Sequence, residues 1–249
     1  AAGDSGKIIR STDNASTWSI SASTSRYLNA FTFGSNTFNA VGTSGYTFNS
    51  FDNGSTWNSR RTPSSGSPYN YYRNIGAVSF GSNTFVAVGQ SGKIVRSTDN
   101  GTSWSNVTSG TSPYTYGNNN LKGVSFGNNT FVAVGISGEI IRSTDYGSSW
   151  DNVTSTSPSR DLQGVSFGNN TFVAVGEDGR IQISEDNGTS WSNVTSTVTE
   201  DFREVTFGNN TFVAVGLEGR IVRSTDNGST WNSVTSGTSN ALYGVIFGE

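Results

Sequence analysis

The 249-residue chain contains no cysteine, no histidine and no methionine. Without cysteine and histidine there can be no disulfides, thiol nucleophiles, imidazole general bases, or zinc sites of the usual kind. The sequence therefore predicts neither a metal site nor a bound cofactor. It also lacks any apolar run of about 18 residues or more, so it predicts no membrane-spanning helix.

Charged side chains are scarce, at 13% of residues, and the formal net charge is −3. A nucleic-acid-binding protein needs a basic face, so we expect no nucleic-acid partner. The absence of cysteine and a start at Ala1 without methionine are compatible with export. The dense Asn-x-Ser/Thr sequons would be modified in a eukaryotic secretory pathway. We therefore expect a secreted, cell-surface or periplasmic protein of bacterial origin.

One eight-residue pattern, Ser-x-Asp-x-Gly-x-x-Trp, occurs six times, with Ala15 replacing the glycine in the first copy. Its carboxylates should accept backbone N–H hydrogen bonds across a turn, and its indole rings should pack between sheets. We interpret both sets as structural and not as calcium ligands, because the further oxygen ligands of a calcium loop are missing. The aspartates are Asp13, Asp52, Asp99, Asp145, Asp186 and Asp226, and the tryptophans are Trp18, Trp57, Trp104, Trp150, Trp191 and Trp231.

The aspartates of this motif recur every 39 to 47 residues. Each repeat contains four short runs typical of strands, separated by Gly-Asn-Asn or Gly-Ser-Asn, a Gly-ended turn and the motif itself. A period of this size with four strands per repeat is typical of a propeller blade. The sequence thus predicts an all-β, six-bladed β-propeller of four-stranded antiparallel blades, forming one domain over residues 1–249.

The two ends of the chain are complementary parts of one blade. Residues 1–7 align with residues 87–93, which include the end of a second strand, and residues 243–248 align with a first strand. We therefore expect blade 1 to be shared by residues 1–22 and 241–249, with the N- and C-terminal strands paired to close the ring. The first-to-second turn and the start of the second strand are missing from this blade. We therefore expect the seam, which is the place in blade 1 where the two ends of the chain meet, to be incomplete.

The repeated motif resembles the Asp-box (BNR) repeat over essentially the whole chain. That resemblance implies a propeller fold and relates the chain to sialidases, bacterial propeller lectins, and photosystem assembly and stability factors. A sialidase would need an arginine triad, a tyrosine nucleophile with a glutamate partner, and an aspartate acid/base. The Arg-Ile-Pro motif of sialidases is absent here and the connections between blades are short, so we predict no enzymatic activity.

Differences between the repeats are concentrated on one face of the predicted propeller, in the second-to-third turns and the connections between blades. Seven residues before the first-strand phenylalanine, three repeats carry an arginine: Arg26, Arg73 and Arg160. Together they could clamp a carboxylate or sulfate; alternatively, each pairs with a neighbouring acid such as Asp161. Two longer connections carry Tyr69, Tyr71, Tyr72, Tyr114 and Tyr116, which either form a stacking surface for a ligand or only cover the blade shoulders.

Three functions follow as alternatives. The main prediction is a non-catalytic binding module, either a glycan-binding, lectin-like propeller or a cell-surface adhesion propeller. The alternative is a protein–protein scaffold or assembly factor, and a sialidase-like glycoside hydrolase is less favoured. The expected partner is therefore a glycan, a glycosylated surface or a protein, and the sequence predicts no oligomeric state. A lectin should repeat its contact residues in several blades, whereas a scaffold should use one asymmetric patch.

Overall fold

The structure, a computed structural model, describes residues 6–64, 73–108, 120–153 and 159–247. These residues form 22 strands and five short 3-10 turns, and the strands assemble into one two-stranded and five four-stranded antiparallel sheets. No helix among the described residues is long and apolar enough to cross a membrane. The predicted all-β, six-bladed propeller is confirmed.

Each four-stranded sheet is a meander in which neighbours in sequence are neighbours in the sheet. Blade 1 contains β1 (Lys7–Arg10) and β2 (Ser19–Ser23). Blades 2 and 3 contain β3 (Leu28–Gly34), β4 (Thr37–Gly42), β5 (Tyr46–Ser50), β6 (Asn58–Arg61), β7 (Ile75–Gly81), β8 (Thr84–Gly89), β9 (Lys93–Ser97) and β10 (Ser105–Val107). Blades 4 to 6 contain β11 (Leu121–Gly127), β12 (Thr130–Gly135), β13 (Ile140–Ser143), β14 (Asp151–Val153), β15 (Leu162–Gly168), β16 (Thr171–Gly176), β17 (Ile181–Ser184), β18 (Ser192–Val194), β19 (Phe202–Gly208), β20 (Thr211–Gly216), β21 (Ile221–Ser224) and β22 (Asn232–Val234).

The tight turn between the first two strands of each blade follows from its polar sequence. In blade 4, Asn128 and Asn129 have φ angles of 45° and 59°, and they join β11 to β12 with Phe126 opposite Phe131. Two consecutive residues at positive φ define the hairpin turn whose twist matches the flanking strands. The first strands of consecutive blades, from β3 to β19, contact one another and surround the propeller axis.

The motif aspartates organise the turn between the third and fourth strands, as the sequence predicts. In blade 3, Asp99 Oδ1 accepts hydrogen bonds from Ser97 Oγ at 2.8 Å and from the Ser103 N–H at 2.9 Å. Ser97 Oγ in turn accepts from the Gly101 N–H at 2.9 Å. The serine, the aspartate and the turn glycine therefore bond to one another within eight residues, which makes this turn a self-contained structural unit.

Acid should weaken the propeller through these turns. The hydroxyl and N–H groups of Thr56 and Thr230 lower the pKa of Asp52 and Asp226 to about 2. Because the folded pKa lies below the ordinary value of 3.8, this stabilisation is complete above about pH 4 and is lost as the pH falls towards 2. We expect the denaturant midpoint to drop steeply between pH 4 and pH 2, and less steeply for an Asp226→Asn variant. A midpoint that is constant over this range would contradict the assignment.

Tryptophan packing joins consecutive blades. Trp104, Trp150, Trp191 and Trp231 are only 4–7% exposed, and each packs on second-strand residues of the preceding blade, such as Val132 and Val134 under Trp191. The expectation that every motif tryptophan is buried is wrong for Trp18, which is 50% exposed. Trp18 belongs to blade 1, whose sheet contains only β1 and β2 among the described residues.

The C-terminal segment lies where the first strand of a following blade would lie. The ring of Phe247 covers Gly208 as the ring of Phe207 covers Gly168, and the Leu242 N–H donates to Gly216 O at 2.9 Å. The strand partners expected for this segment, residues 1–3, lie outside the described residues. Pairing of the two termini, and with it the division of blade 1 between them, stays a prediction.

Candidate functional site

The variable face of the propeller, called here the loop face, carries the 3-10 turns between second and third strands and the connections between blades. The turns are Thr43–Gly45, Gln90–Gly92, Ile136–Gly138, Glu177–Gly179 and Leu217–Gly219. A side chain from the following connection fixes each of the first four turns: the N–H of Ser44, for example, donates to Asn74 Oδ1 at 2.8 Å. Asp161 and Asp201 play the same role for Ser137 and Asp178. These two carboxylates therefore have a structural task.

Charge is divided unequally along the chain and hence around the ring. Residues 1–122 carry nine basic and four acidic side chains, whereas residues 123–249 carry six basic and fourteen acidic ones. Because consecutive blades are neighbours in the ring, the first half of the propeller is basic and the second half acidic. A field of this shape steers charged partners to one side of a protein.

Ion pairs hold Lys122, at the boundary of the two halves, and three arginines of the acidic half. On the loop face, Lys122 Nζ lies 2.9 Å from Asp161 Oδ2, and Arg160 Nε lies 2.9 Å from Asp178 Oδ2. Arg220 pairs with Glu200 at 2.5 Å, and Arg203 with Asp201 at 3.5 Å. These side chains are all partly exposed, so the pairs contribute little to stability. The paired carboxylates do, however, offset the positive potential of these cations, which weakens their attraction for an anionic ligand.

The basic half holds a cluster of two arginines on one aromatic ring. The guanidinium carbons of Arg26 and Arg61 each lie 4.8 Å from the centroid of the Tyr46 ring, within the range of a cation–π contact. Arg61 Nε also donates to Ser44 O at 3.3 Å, and the Tyr46 ring stacks on Phe48. Two positive groups are thereby held close to one another beside an apolar surface.

A cavity of about 320 Å³ lies beside this cluster, between β2 and the outer part of blade 2. We call it the Arg26 groove. Ser23 to Arg26 form one wall, and Tyr46, Phe48, Trp57 and Ser59 form much of the rest. The groove thus combines a cationic end, an aromatic floor and a hydroxyl-lined edge. This combination suits an extended polar segment that carries a carboxylate.

The three arginines predicted from the sequence as ligand-binding residues have different neighbours in the structure. Arg26 lines the groove, whereas Arg160, at the equivalent position in blade 5, is paired with Asp178. Arg73 lies close to Lys93, whose pKa falls to about 8, chiefly because the lysine is buried and secondarily because of the Arg73 charge. The clamp of three arginines on one anion stays a prediction. Tyr69, Tyr71, Tyr72, Tyr114 and Tyr116 lie outside the described residues.

Sequence reasoning missed Tyr46 and Arg61. Tyr46 directly follows a 3-10 turn, and the residue at that position differs from blade to blade: Tyr46, Lys93, Glu139, Arg180 and Arg220. The same within-chain comparison that selected Arg26 would have selected this position too. The contact with Arg61, which lies on the outermost strand, could not be read from any spacing.

One carboxylate also stands apart near the propeller axis. Glu204 occupies a position that is Ala30, Ala77, Gly123 or Gly164 in the other described first strands. Its Oε1 accepts a hydrogen bond from the Val205 N–H at 3.1 Å, and a Cβ on Gly164 would come within 2.9 Å of that atom. Burial raises the pKa of Glu204 to about 7. The small residue in the neighbouring blade therefore makes room for this acid.

No protein-family model matches the chain, and no curated protein matches it. Solved structures do match. YCF48 bound to a D1 peptide aligns with a TM-score of 0.67 and 18% identity, over 93% of this chain and 75% of that one. The computationally designed Ika8 protein aligns with a TM-score of 0.68 and 13% identity, over 91% and 67% of the two chains. A nidogen/laminin complex aligns with a TM-score of 0.65 and 10% identity, over 96% and 94%.

The chain is a β-propeller. At 10–18% identity, these likenesses concern the fold alone, since one fold serves many functions.

Proposed function

We propose that the chain is a protein-binding scaffold whose Arg26 groove holds an acidic, extended segment of a partner protein. The observation that carries this proposal is the placement of Arg26 and Arg61 on the Tyr46 ring beside an open cavity. The equivalent arginine of the acidic half, Arg160, is already matched by Asp178. The structurally similar YCF48 was solved with a bound D1 peptide, which supports a peptide as the class of ligand.

The groove is suited to such a segment for three physical reasons. A guanidinium binds a carboxylate through two parallel N–H groups, and the Tyr46 ring restricts the motion of Arg26 before the ligand arrives. Phe48 and Trp57 give an apolar side chain a surface to cover. The hydroxyls of Ser23 and Ser25 can bond to a peptide backbone.

The asymmetry of the site favours a protein over a repeated glycan. A multivalent lectin needs the same contact residues in several blades, and the Arg–Tyr–Arg arrangement joins residues that differ between blades. We further propose that the role is non-catalytic and that the protein acts outside the cytoplasm, as the sequence predicts. Glycan binding depends on tyrosines outside the described residues and enters here as an outcome of the test.

An Arg26→Ala variant should bind an acidic peptide at least tenfold more weakly than the original chain. That loss corresponds to about 1.5–3 kcal/mol for a charge-assisted hydrogen bond. A labelled ten-residue peptide of alternating glutamate and serine, titrated by fluorescence anisotropy, measures the effect. Binding should weaken as salt is added, while the unfolding midpoint should change little.

Arg160→Ala is the matched control, because it removes the equivalent arginine where Asp178 already pairs with it. We expect it to leave affinity within twofold. Equal losses for the two variants would show that only net charge matters and would contradict the groove. Absence of peptide binding together with a positive glycan array would replace the scaffold with a lectin.

A further inference from the structure

Four of the six motif copies place an asparagine directly before the turn glycine, a sequence that is chemically prone to deamidation. The glycine nitrogen can attack the side-chain carbonyl of the asparagine, because glycine has no Cβ to hinder the approach. The product is an aspartate or an isoaspartate in place of the asparagine. The asparagines are Asn53, Asn100, Asn187 and Asn227.

In blades 3, 5 and 6 the turn places the two reacting groups in different surroundings. Asn187 and Asn227 are exposed and Asn100 is partly exposed, whereas the glycine that follows each of them is buried. A side chain from the second strand of the preceding blade covers each glycine: Asn39 covers Gly101, Val132 covers Gly188 and Val173 covers Gly228. The carbonyl that would be attacked is therefore accessible to water, while the attacking nitrogen is shielded.

A hydrogen bond also occupies each of these glycine nitrogens. The N–H of Gly101 donates to Ser97 Oγ at 2.9 Å, and this hydroxyl donates to Asp99 Oδ1 at 2.8 Å. The same glycine-to-serine bond is present in blades 5 and 6, at 2.8 Å and 2.9 Å. Attack requires the nitrogen to lose its proton and move towards the side chain, so this bond must break first. In this respect the three motif copies are alike.

The asparagine side chains of blades 5 and 6 are tied to the preceding blade. Asn187 Oδ1 accepts a hydrogen bond at 3.1 Å from Nδ2 of Asn128, which lies in the first-to-second hairpin of blade 4. Asn227 Oδ1 accepts in the same way from Nδ2 of Asn169, in the hairpin of blade 5, at 3.1 Å. Each carboxamide must therefore leave its partner before it can react with the glycine nitrogen.

Asn100 in blade 3 lacks this tie among the described residues. Ser35 occupies the hairpin position of blade 2 that corresponds to Asn128. Its side chain is shorter, and its hydroxyl donates to Asn83 Oδ1 at 3.4 Å. The hydrogen bond that Asn100 accepts comes from Asn49 Nδ2, at 3.5 Å, and reaches the backbone oxygen. Within the described part of the chain, nothing therefore prevents the carboxamide of Asn100 from turning towards the glycine nitrogen.

We propose that Asn100 is a site of spontaneous deamidation and that the hairpin asparagine of the preceding blade protects Asn187 and Asn227 from the same reaction. The Gly101 nitrogen gives its proton to hydroxide and forms a bond to Asn100 Cγ. The side-chain nitrogen then leaves as ammonia, with a proton taken from water. A second water molecule opens the cyclic imide at either carbonyl and gives aspartate or isoaspartate. The conversion adds one negative charge to the basic half of the propeller.

The test incubates the folded, full chain at mildly alkaline pH and measures deamidation at each site by mass spectrometry. The three sites fall in separate tryptic peptides, residues 97–122, 181–203 and 224–249. Conversion at Asn100 should be about two- to tenfold faster than at Asn187 or Asn227, the range that one hydrogen bond supplies. Equal rates at the three sites would overturn the proposal, because the reaction would then follow unfolding of the whole domain.

Two reciprocal hairpin variants are the matched controls. Asn128→Ser should raise the rate at Asn187 by about two- to tenfold and leave Asn227 unchanged. Ser35→Asn should slow the reaction at Asn100 by a similar factor. The two positions are exposed and have φ angles of 45° and 46°, and each residue type already occupies such a position in this chain, so we expect both variants to fold. Unchanged rates, or a uniform change at all three sites, would contradict the proposal.

Discussion

Replacing Trp191 with alanine is expected to lower the free energy of unfolding by about 3–5 kcal/mol, the usual cost of truncating a buried aromatic side chain. Trp191 is 5% exposed and packs with Val132 and Val134 of blade 4 and with Leu162 and Phe172 of its own blade. Its indole N–H donates to Gly188 O at 3.3 Å. The truncation therefore opens a cavity between two blades and removes a contact that joins them.

Trp18→Ala is the matched control, because it removes the same side chain from the same motif position at a place where half of it is exposed. We expect a loss below about 1 kcal/mol for this variant. Denaturant titrations followed by far-ultraviolet circular dichroism give both values. A loss below about 1 kcal/mol for Trp191→Ala would refute the interblade role of the motif tryptophans.

Glu204→Gln is expected to stabilise the propeller above neutral pH and to change nothing near pH 4. Burial raises the pKa of Glu204 from 4.5 to about 7. The folded state then holds a proton that the unfolded state has released, so stability falls as the pH rises from about 4.5 through 7. Glutamine keeps the acceptor for the Val205 N–H and never ionises. At pH 8 the variant should gain up to about 3 kcal/mol over the original chain.

Glu200→Gln supplies a control of opposite sign. The hydrogen bond from Arg220 lowers the pKa of Glu200, so its carboxylate stabilises the folded state above the ordinary pKa and loses this effect in acid. Unfolding midpoints measured from pH 4 to pH 8 should diverge from those of the original chain with rising pH for both variants, upwards for Glu204→Gln and downwards for Glu200→Gln. If the two profiles run parallel, Glu204 is not desolvated.

Sequence alone predicted the parts of this fold that depend on local chemistry. The hydrogen-bond pattern around Asp99 could be anticipated because the serine, the aspartate and the turn glycine lie within one short segment. The hairpin at Asn128 and Asn129 follows from their tolerance of positive φ. Burial of Trp18 could not be judged in this way, because it depends on what lies beside blade 1 and not on the motif.

The candidate site was predicted only in part, for a related reason. Comparison of the repeats identified Arg26 and Arg160 as equivalent, yet the structure places one on Tyr46 and the other on Asp178. Both outcomes were compatible with the sequence, since an exposed arginine takes whichever partner the neighbouring turn presents. The partners follow the turns of blades 2 and 5, where the chain has Tyr46 in one case and Asp178 in the other.

The way in which blades seal one another also has a consequence for protein synthesis. In blades 3 to 6 the motif glycine is covered by a side chain that lies earlier in the chain, as Val132 covers Gly188. When a blade leaves the ribosome, the preceding blade against which it packs has therefore already been synthesised. The ring can grow in the direction of translation. Because neighbouring repeats supply most of each other's core, we expect folding to proceed blade by blade behind the ribosome. The predicted pairing of the N- and C-terminal segments would be completed last.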